Sequence, residues 1–418
     1  MELKKYKLAD IGKVITGKTP STSIAENYAW GTIPFYTPED VAKGLGMMGR
    51  NSRFISKTGF EEIASNTISG ESVLVGCIGS DMGNVAYSNI TCATNQQINA
   101  ITQFKNGIDP LYVYYLLSTM KSYFQKIAGS TTTPILPKSV FEEIEIHLPD
   151  MKKQKDVVSI LYALDHKIEL NKRINDNLEA MAKQLYDYWF VQFDFPNEEG
   201  KPYKSSGGAM VWNENLKREI PQGWVVEKMG KCTNVLLGGT PDTNDNSLWG
   251  NGYNWLNSGE VAEFPILKSE KNITPKGLEK SATVLAPKGS VTLSITRYLR
   301  PSILCIDACI NQSVVAILEN DKISKEYIYP LLNRDIPRLM SLRTGAQQPH
   351  INKETVEAIN VVLPPANIMG AYINKAESIY NAIFNNAKEV EELTKQRDEL
   401  LPLLMNGQAT VNYHLSDD

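Results

Sequence analysis

Four residues near the N-terminus have the types and spacing of a loop that binds nucleotide phosphates. Gly12, Gly17, Lys18 and Thr19 fit G-x-x-x-x-G-K-[ST], in which backbone amides and the lysine hold the phosphates. That chemistry needs a buried strand before the loop and a helix that starts at the Lys-Thr pair. Here MELKKYKLAD precedes the pattern and PSTS follows it, which favours a Gly-Pro turn over a nucleotide site.

Cysteine and histidine spacing predicts no metal site. The five cysteines form no C-x-x-C pair and the four histidines form no ligand-spaced cluster. Cys305 and Cys309 are four residues apart, but their apolar neighbours indicate buried positions. This cysteine usage favours a reducing, cytoplasmic setting. The N-terminus lacks the pattern of a secretory signal, and no apolar run is long enough to span a bilayer, so we expect no membrane role.

Composition limits how the chain could hold nucleic acid. The 418 residues are enough for two or three domains. Lysine and arginine number 43 against 47 acidic residues, which gives a net charge of −4. This charge argues against binding of nucleic acid by bulk positive charge alone, so such a role would need local basic patches or partners that bring charge.

The chain contains an internal repeat. KLADIGKVITGKTP (7–20) aligns with KMGKCTNVLLGGTP (228–241), and Gly239 stands where the first copy has Lys18. TNQQINAI (94–101) matches INQSVVAI (310–317), and YVYYLL (112–117) matches YIYPLL (327–332). GSTTTPILPKSVFEEIEIHLP (129–149) matches GAQQPHINKETVEAINVVLP (345–364). A repeated element that lacks the phosphate lysine in its second copy is not a phosphate loop, so we expect no ATPase.

Each copy is followed by a segment with a sustained heptad pattern, which is typical of a coiled coil. In the second segment, ten seam positions step alternately by four and three residues from Tyr372 to Leu404. The first segment has the same seam from Val157 to Trp189, and Asn171 and Asn386 occupy the same position in both. We expect the two helices to pack antiparallel, with these asparagines setting the register. A pair of ordinary amphipathic surface helices is the alternative.

The globular copies have mixed patterns. Short apolar runs at 73–79, 290–296 and 313–318 predict buried strands, and 110–128 predicts a helix. The polar, Gly- and Pro-rich stretch 196–224 is typical of a linker, or of an arm that lies on a partner. The predicted fold is therefore α/β-mixed (α+β), with two pseudo-repeated globular domains that each have a largely antiparallel sheet, joined by two long antiparallel coiled-coil helices.

Two similar globular modules held at fixed spacing suit the reading of two half-sites on a duplex. With these features the chain resembles the specificity (S) subunit of type I restriction–modification systems. The resemblance rests on the repeat, the TGKTPS-like turn, the Asn-Gln strand and the Leu-Pro before each helix, and it covers nearly the whole chain. The helix entries, LPDMKKQKD and LPPANIMGA, depart from the family's usual Leu-Pro-Pro-x-x-Glu-Gln-like pattern.

The resemblance implies a non-catalytic subunit that reads an asymmetric bipartite DNA target. It also implies two methyltransferase subunits that bind S-adenosylmethionine, and restriction subunits that use ATP and Mg²⁺, with no cofactor on this chain. The segments are then target-recognition domain 1 (1–149), spacer helix 1 (150–192), a linker or arm (193–224), target-recognition domain 2 (225–364), spacer helix 2 (365–408) and a C-terminal tail (409–418).

The residues that read bases are expected in loops. Arg297, Tyr298 and Arg300 form a basic-aromatic stretch after a predicted strand, and Ser80, Asp81 and Asn84 are its counterpart. The polar pairs Thr131-Thr132 and Gln347-Gln348 are further candidates, because glutamine can pair bidentately with adenine. Lys18 is a flanking candidate. Each of them could instead be a solvated loop residue.

Two other classes of protein stay open. A standalone DNA methyltransferase would carry an Asn-Pro-Pro-Tyr or Asp-Pro-Pro-Tyr motif, which the sequence lacks. A coiled-coil scaffold that binds no nucleic acid would share the helices, but it would have no reason to carry two diverged modules.

Overall fold

The structure is a computed structural model that describes residues 3–47, 53–79, 82–129, 134–296, 299–345 and 349–409. It divides into two compact units. The first contains Met1–Glu169 and Glu391–Asp418, and the second contains Leu170–Val390. Each unit therefore holds one copy of the repeat and a part of each long helix. Within the described residues, no helix is both long and apolar enough to cross a membrane.

The first copy is built from short strands and helices. Its strands are β1 (Lys4–Lys7), β2 (Lys13–Thr16), β3 (Ile33–Tyr36), β4 (Phe54–Ile55), β5 (Ser72–Gly76), β6 (Val85–Ser88), β7 (Ala93–Thr94), β8 (Ile98–Thr102) and β9 (Glu145–Leu148). Its helices are α1 (Leu8–Ile11), α2 (Pro38–Val41), α3 (Lys57–Glu62), α4 (Pro110–Ser118), α5 (Lys121–Ile127) and α6 (Lys138–Glu142). The central sheet has the order β2-β8-β5-β6 with every neighbour antiparallel.

A long helix and a β-hairpin connect the two copies. The helix is α7 (Met151–Tyr186), followed by a π-helical turn, Asp187–Val191. The hairpin is β10 (Met210–Asn213) with β11 (Arg218–Pro221). The sequence left this stretch open as a linker or an arm. In the structure, Phe193, Phe195 and Trp224 are buried in the core of the second unit. Burial of these three aromatic side chains therefore anchors the segment to the second unit, despite its many Gly, Ser and Lys residues.

The second copy repeats the topology of the first. Its strands are β12 (Val225–Lys228), β13 (Val235–Leu237), β14 (Trp249–Leu256), β15 (Lys271–Ile273), β16 (Val284–Ala286), β17 (Val291–Ser294), β18 (Pro301–Ile303), β19 (Ala308–Ile310), β20 (Val314–Ile317) and β21 (Asn360–Leu363). Its helices are α8 (Met229–Cys232), α9 (Pro275–Glu279), α10 (Lys325–Ser341) and α11 (Lys353–Glu357). The sheet β13-β20-β17-β18 matches β2-β8-β5-β6 strand for strand, and β12-β21 matches β1-β9.

The sheets are largely antiparallel, as predicted, with one parallel pair of strands in the described residues of each copy. These pairs are β3 with β7, in a three-stranded sheet, and β14 with β19, in a second four-stranded sheet. The sequence prediction of one helix over 110–128 is wrong in detail, because the chain turns at Thr119-Met120 and forms α4 and α5. Hydroxyls near the break bond back to the helix backbone, Ser118 to Tyr114 O and Thr119 to Leu116 O.

The second long helix, α12 (Ala366–Met405), runs antiparallel to α7 within each unit. In the second unit, the rings of Tyr186 and Tyr372 pack together and Asn175 contacts Asn386. In the first unit, Asp165 contacts Arg397. Residues nearer the C-terminal end of α7 contact residues nearer the N-terminal end of α12, which confirms the predicted orientation. All twenty predicted seam positions are buried or half-buried.

Candidate nucleic-acid interface

The turn after β2 is fastened to the turn before β8. Both lie at the end of the sheet where β2 and β5 end and β6 and β8 begin, which we call the loop edge. A Cβ atom on Gly17 would lie 2.2 Å from the carbonyl oxygen of Asn95, so only glycine fits there. Thr19 Oγ1 donates a hydrogen bond of 2.9 Å to Gln96 Oε1. Glycine and threonine of the repeated motif thus hold two turns together, and we call this pair of fastened turns the frame.

The second copy builds the same frame at its own loop edge, where β13 and β17 end and β18 and β20 begin. A Cβ atom on Gly238 would lie 2.1 Å from the carbonyl oxygen of Ile310. The hydroxyl of Thr240 donates to Gln312 Oε1. The T-P and N-Q motifs that define the repeat are therefore the two halves of one structural contact.

This frame is not a phosphate loop. No helix begins at Thr19, and the next helical element is a single 3-10 turn at Ala25–Asn27. Lys18 is exposed, whereas Gly239 in its place is buried. A Cβ atom on Gly239 would lie 2.5 Å from the backbone carbon of Ala282, so a lysine does not fit there.

Two further segments meet at the loop edge of the first copy. Cys77 N, just after β5, donates to Gln97 O at 2.7 Å, which ties this segment to the N-Q turn. Leu136 N donates to Cys77 O at 2.9 Å, and Gly79 N donates to Pro134 O at 3.2 Å. The chain after β5 and the chain before α6 are thus paired.

The second copy pairs the equivalent segments. Ile295 N donates to Ser313 O at 2.9 Å, and Ile351 N donates to Ile295 O at 3.0 Å. Thr296 forms an antiparallel bridge with His350. The ends of the same two loops therefore come together twice, once in each copy.

Most predicted base-reading residues lie outside the described residues. These are Thr131, Thr132, Arg297, Tyr298, Gln347 and Gln348, and the counterparts Ser80 and Asp81. In sequence, Arg297 follows Thr296, and Gln347-Gln348 stand just before His350. The described ends of both candidate loops therefore lie at the loop edge.

The remaining candidates are described. Lys18 is exposed in the turn after β2. Arg300 is exposed just before β18, and its carbonyl oxygen accepts a hydrogen bond from Ser294 N at 3.3 Å. Asn84 Oδ1 accepts a hydrogen bond from Lys121 Nζ at 2.7 Å. Lys18, Arg300 and Asn84 all lie at the loop edges.

A buried polar chain supports the loop edge of the first copy. Thr16 Oγ1 donates to Asn99 Oδ1 at 2.7 Å, and Asn99 Nδ2 donates to Cys77 Sγ at 3.2 Å. Burial raises the pKa of the Cys77 thiol to about 12, against the opposing hydrogen bonds from Asn99. A thiol that stays protonated is no nucleophile, so its role here is structural. The second copy has Leu237, Val315 and Ile295 at these positions.

The seam between the long helices carries a cluster of polar contacts. Asn171 Nδ2 donates to Glu389 Oε2 at 2.8 Å, and Asn386 Nδ2 donates to Asn175 Oδ1 at 3.0 Å. Asn175 Nδ2 in turn donates to the carbonyl oxygen of Ile383 at 3.1 Å. The two predicted register residues thus face the opposite helix, but they do not pair with each other. Asn175 was visible in the sequence as a second asparagine on the seam.

Comparisons with known proteins agree with this architecture. The family model for the type I restriction modification DNA specificity domain matches residues 1–180 and 221–397. The type I restriction enzyme MjaIX specificity subunit of Methanocaldococcus jannaschii is 27% identical over 97% of this chain and 93% of its own length. The HindI specificity subunit of Haemophilus influenzae is 23% identical over 72% of this chain and 78% of its own.

A solved structure has the same fold. The type I restriction–modification S subunit from M. genitalium superposes with a TM-score of 0.58 at 14% identity, over 97% of this chain and 96% of that one. The chain belongs to the type I restriction–modification DNA specificity family. It is a specificity subunit, a DNA-recognition component that is not itself catalytic. Specificity subunits of this family bind DNA and assemble with methyltransferase and restriction subunits.

Proposed function

We propose that this chain reads an asymmetric bipartite DNA target, with one half-site read at each loop edge. The observation that carries the proposal is the same frame built twice, around loops of different sequence. Thr19–Gln96 and Thr240–Gln312 fasten equivalent turns, while the adjoining loops carry Ser-Asp in one copy and Arg-Tyr in the other. Two similar frames with unlike loops suit two unlike half-sites.

The frame and the loops have different roles in binding. Residues that both copies share do not distinguish one half-site from the other, so we assign Gln96 and Gln312 to the frame and to sequence-independent contacts. Residues that differ between the copies carry the specificity. In the second copy these are Arg297, Tyr298 and Arg300 with Gln347 and Gln348, and in the first copy Thr131 and Thr132. Arginine to guanine and glutamine to adenine are the pairings that such residues make in the major groove.

The helices are the part that sets the gap between half-sites. At ~1.5 Å per residue, the 36 residues of α7 and the 40 of α12 make rods of about 54 and 60 Å. Their polar contacts at Asn171, Asn175 and Asn386 oppose slippage, because a polar residue in an apolar seam favours the one register in which it is paired.

The chemistry of the complex belongs to its partners. We assign S-adenosylmethionine to two methyltransferase subunits, and ATP with Mg²⁺ to restriction subunits. In support, the G-x-x-x-x-G-K-T sequence is a turn rather than a nucleotide loop, and Cys77 at the loop edge is held as a neutral thiol.

DNA binding by the chain alone and with a co-expressed methyltransferase tests the proposal. Methylation sequencing of host DNA gives the target, and electrophoretic shifts are then measured on that duplex and on an unrelated one. We expect a specific shift that the methyltransferase strengthens. A chain that assembles with the methyltransferase but never selects the target would be a scaffold. A chain that methylates DNA unaided would be an enzyme, and either result would overturn the proposal.

A further inference from the structure

A cavity of about 450 Å³ in the second unit is lined by four cationic side chains and one carboxylate. The cations are Arg218, Lys228, Arg334 and Arg338, and the carboxylate is Asp335. Asp335 is already engaged, because its two oxygens accept hydrogen bonds of 2.7 and 2.5 Å from Arg338. In a chain with net charge −4, this is a concentrated positive site.

The wall of this cavity holds Arg218 in place. Its guanidinium carbon lies 4.4 Å from the centroid of the Phe193 ring. Its Nη2 donates to the carbonyl oxygens of Phe190 and Val191 at 3.3 and 3.4 Å, in the turn that ends α7. These contacts orient the group but do not neutralise its charge. Burial lowers the pKa of Arg218, and the charge of Arg334 lowers it further.

Like charges held together in a cavity indicate a site for an anion. Repulsion between Arg218 and Arg334 costs free energy, and an anion between them would remove that cost. Guanidinium groups match the oxygens of a phosphate by paired N–H donors. Lys228 is at the same cavity, and its Nζ donates to Ala358 O at 3.1 Å and to Asn360 Oδ1 at 2.7 Å.

The cavity is linked to the loop edge through α10. Arg334 and Arg338 are four residues apart and so lie on one face of this helix. The helix ends at Ser341, and the chain continues to Thr344 and His350, which are joined by two backbone hydrogen bonds of 2.9 Å. His350 also bridges Thr296 at the loop edge. The helix that carries Arg334 and Arg338 therefore leads directly into the surface that we assign to base reading.

The first copy has no equivalent set of charges in its described residues. Thr119 and Tyr123 stand where the second copy has Arg334 and Arg338. Arg218 belongs to the hairpin between the copies. The site is thus particular to the second recognition domain.

We propose that this cavity binds a backbone phosphate of the DNA that the second domain reads, an inference that rests on the proposed function. A phosphate contact positions the duplex without reading sequence. It also adds a defined increment to the salt dependence of binding, about 0.9 in the slope of log K against log salt for each phosphate.

The test uses Arg334→Gln in the full chain assembled with its methyltransferase, on the target duplex and on an unrelated one. We expect the slope to become shallower by about 0.9. The loss of affinity between 50 and 200 mM salt should then be about threefold smaller than in the wild type. Affinity should fall equally on both duplexes. Arg334→Lys should recover most of the slope, and Lys395→Gln, which removes one exposed charge from α12, should leave it unchanged.

Three results would overturn the inference. An unchanged slope with intact target selection would reject the phosphate site and leave the proposed function standing. A loss confined to the target duplex would mean that Arg334 reads bases. Weaker assembly with the methyltransferase at an unchanged slope would assign the cavity to an acidic group of that partner. If the wild-type complex itself selects no DNA, the proposed function fails first.

Discussion

Asn386 donates a hydrogen bond from Nδ2 to Oδ1 of Asn175, 3.0 Å away, across the pair of antiparallel helices. The amide of Asn175 then donates to the carbonyl oxygen of Ile383 on the same opposite helix. These two hydrogen bonds therefore form only in this register. A slip by one heptad would separate the two amides and leave them in an apolar seam.

We predict that the two asparagines are strongly coupled. Asn386→Leu alone should lower the free energy of unfolding by about 1–3 kcal/mol, because it leaves Asn175 Oδ1 without its partner. The double variant with Asn175→Leu should be as stable as the wild type or more so, while it permits shifted or intermolecular pairing. Chemical unfolding of the four chains in the cycle gives the coupling energy, and light scattering gives the oligomeric state. Simple additivity, with a monomeric double variant, would show that the pair does not set the register.

A second polar contact on the same helices should contribute more. Asp165 is 6% exposed, accepts a hydrogen bond from Tyr115 Oη at 2.8 Å, and pairs with Arg397 at 2.8 Å. Burial works to lower the pKa of Arg397, but its hydrogen bond and charge interaction with Asp165 outweigh this and raise it. Asp165→Asn should cost about 2–3 kcal/mol of unfolding free energy, because the partly buried guanidinium then loses its buried carboxylate partner.

The chain supplies a matched control for that prediction. Asp398 also contacts Arg397, at 2.7 Å, but its side chain is 58% exposed. Asp398→Asn should therefore cost less than about 1 kcal/mol. Equal effects of the two substitutions in thermal or urea unfolding would mean that burial does not strengthen the Asp165 contact.

Several features of the fold could be predicted from the sequence, since they leave local patterns. The heptad seam is a 3.5-residue period, and the repeat is visible as aligned motifs. The contact between Thr19 and Gln96 leaves no such pattern, because the two residues are 77 positions apart. The pairing of Asn386 with Asn175 rather than with Asn171 also leaves no local pattern, because it depends on how far one helix is displaced along the other. The packing of the segment 193–224 was not predicted, because its composition is largely polar, although Phe193, Phe195 and Trp224 are buried.

Glycine at the repeated turn should be essential to the frame. A Cβ atom on Gly17 or Gly238 would meet backbone oxygens at 2.2 or 2.1 Å, so the turns must move apart. Gly17→Ala should weaken recognition of the first half-site only, and Gly238→Ala of the second only. Methylation at each half-site measures this. Gly370→Ala on α12 is the control, because nothing lies within 4 Å and alanine favours a helix by up to about 1 kcal/mol.

The loop that follows β17 should read bases in the second half-site. Replacement of Arg297 and Arg300 by alanine should weaken specific binding by roughly 1–3 kcal/mol for each bidentate arginine–base pairing that is removed. Methylation of the first half-site should keep its sequence preference, which provides a control within the same molecule. Relaxed preference at the second half-site, measured by sequencing methylated DNA, is the expected result. Unchanged preference at both half-sites would assign base reading to other residues.

The last prediction concerns the helices as the element that sets the gap between half-sites. One heptad is inserted into α7 between Asn171 and Asn175, and one into α12 between Asn386 and Glu389. The two insertion points face each other, because Asn171 contacts Glu389 and Asn175 contacts Asn386. A whole heptad keeps the apolar face in phase and adds about 10 Å of rise to each helix.

Since a duplex rises ~3.4 Å per base pair, the preferred gap should lengthen by up to about three base pairs. Some affinity should be lost, because the half-sites also rotate with the helical twist of the DNA. The half-site sequences should not change, since neither loop edge is altered. An insertion in α7 alone is the control, and it should abolish recognition, because the two helices no longer match. Mapping of methylated positions in cells that carry the lengthened chain and its methyltransferase gives the gap. An active double insertion that keeps the original gap would show that the helices do not measure the DNA.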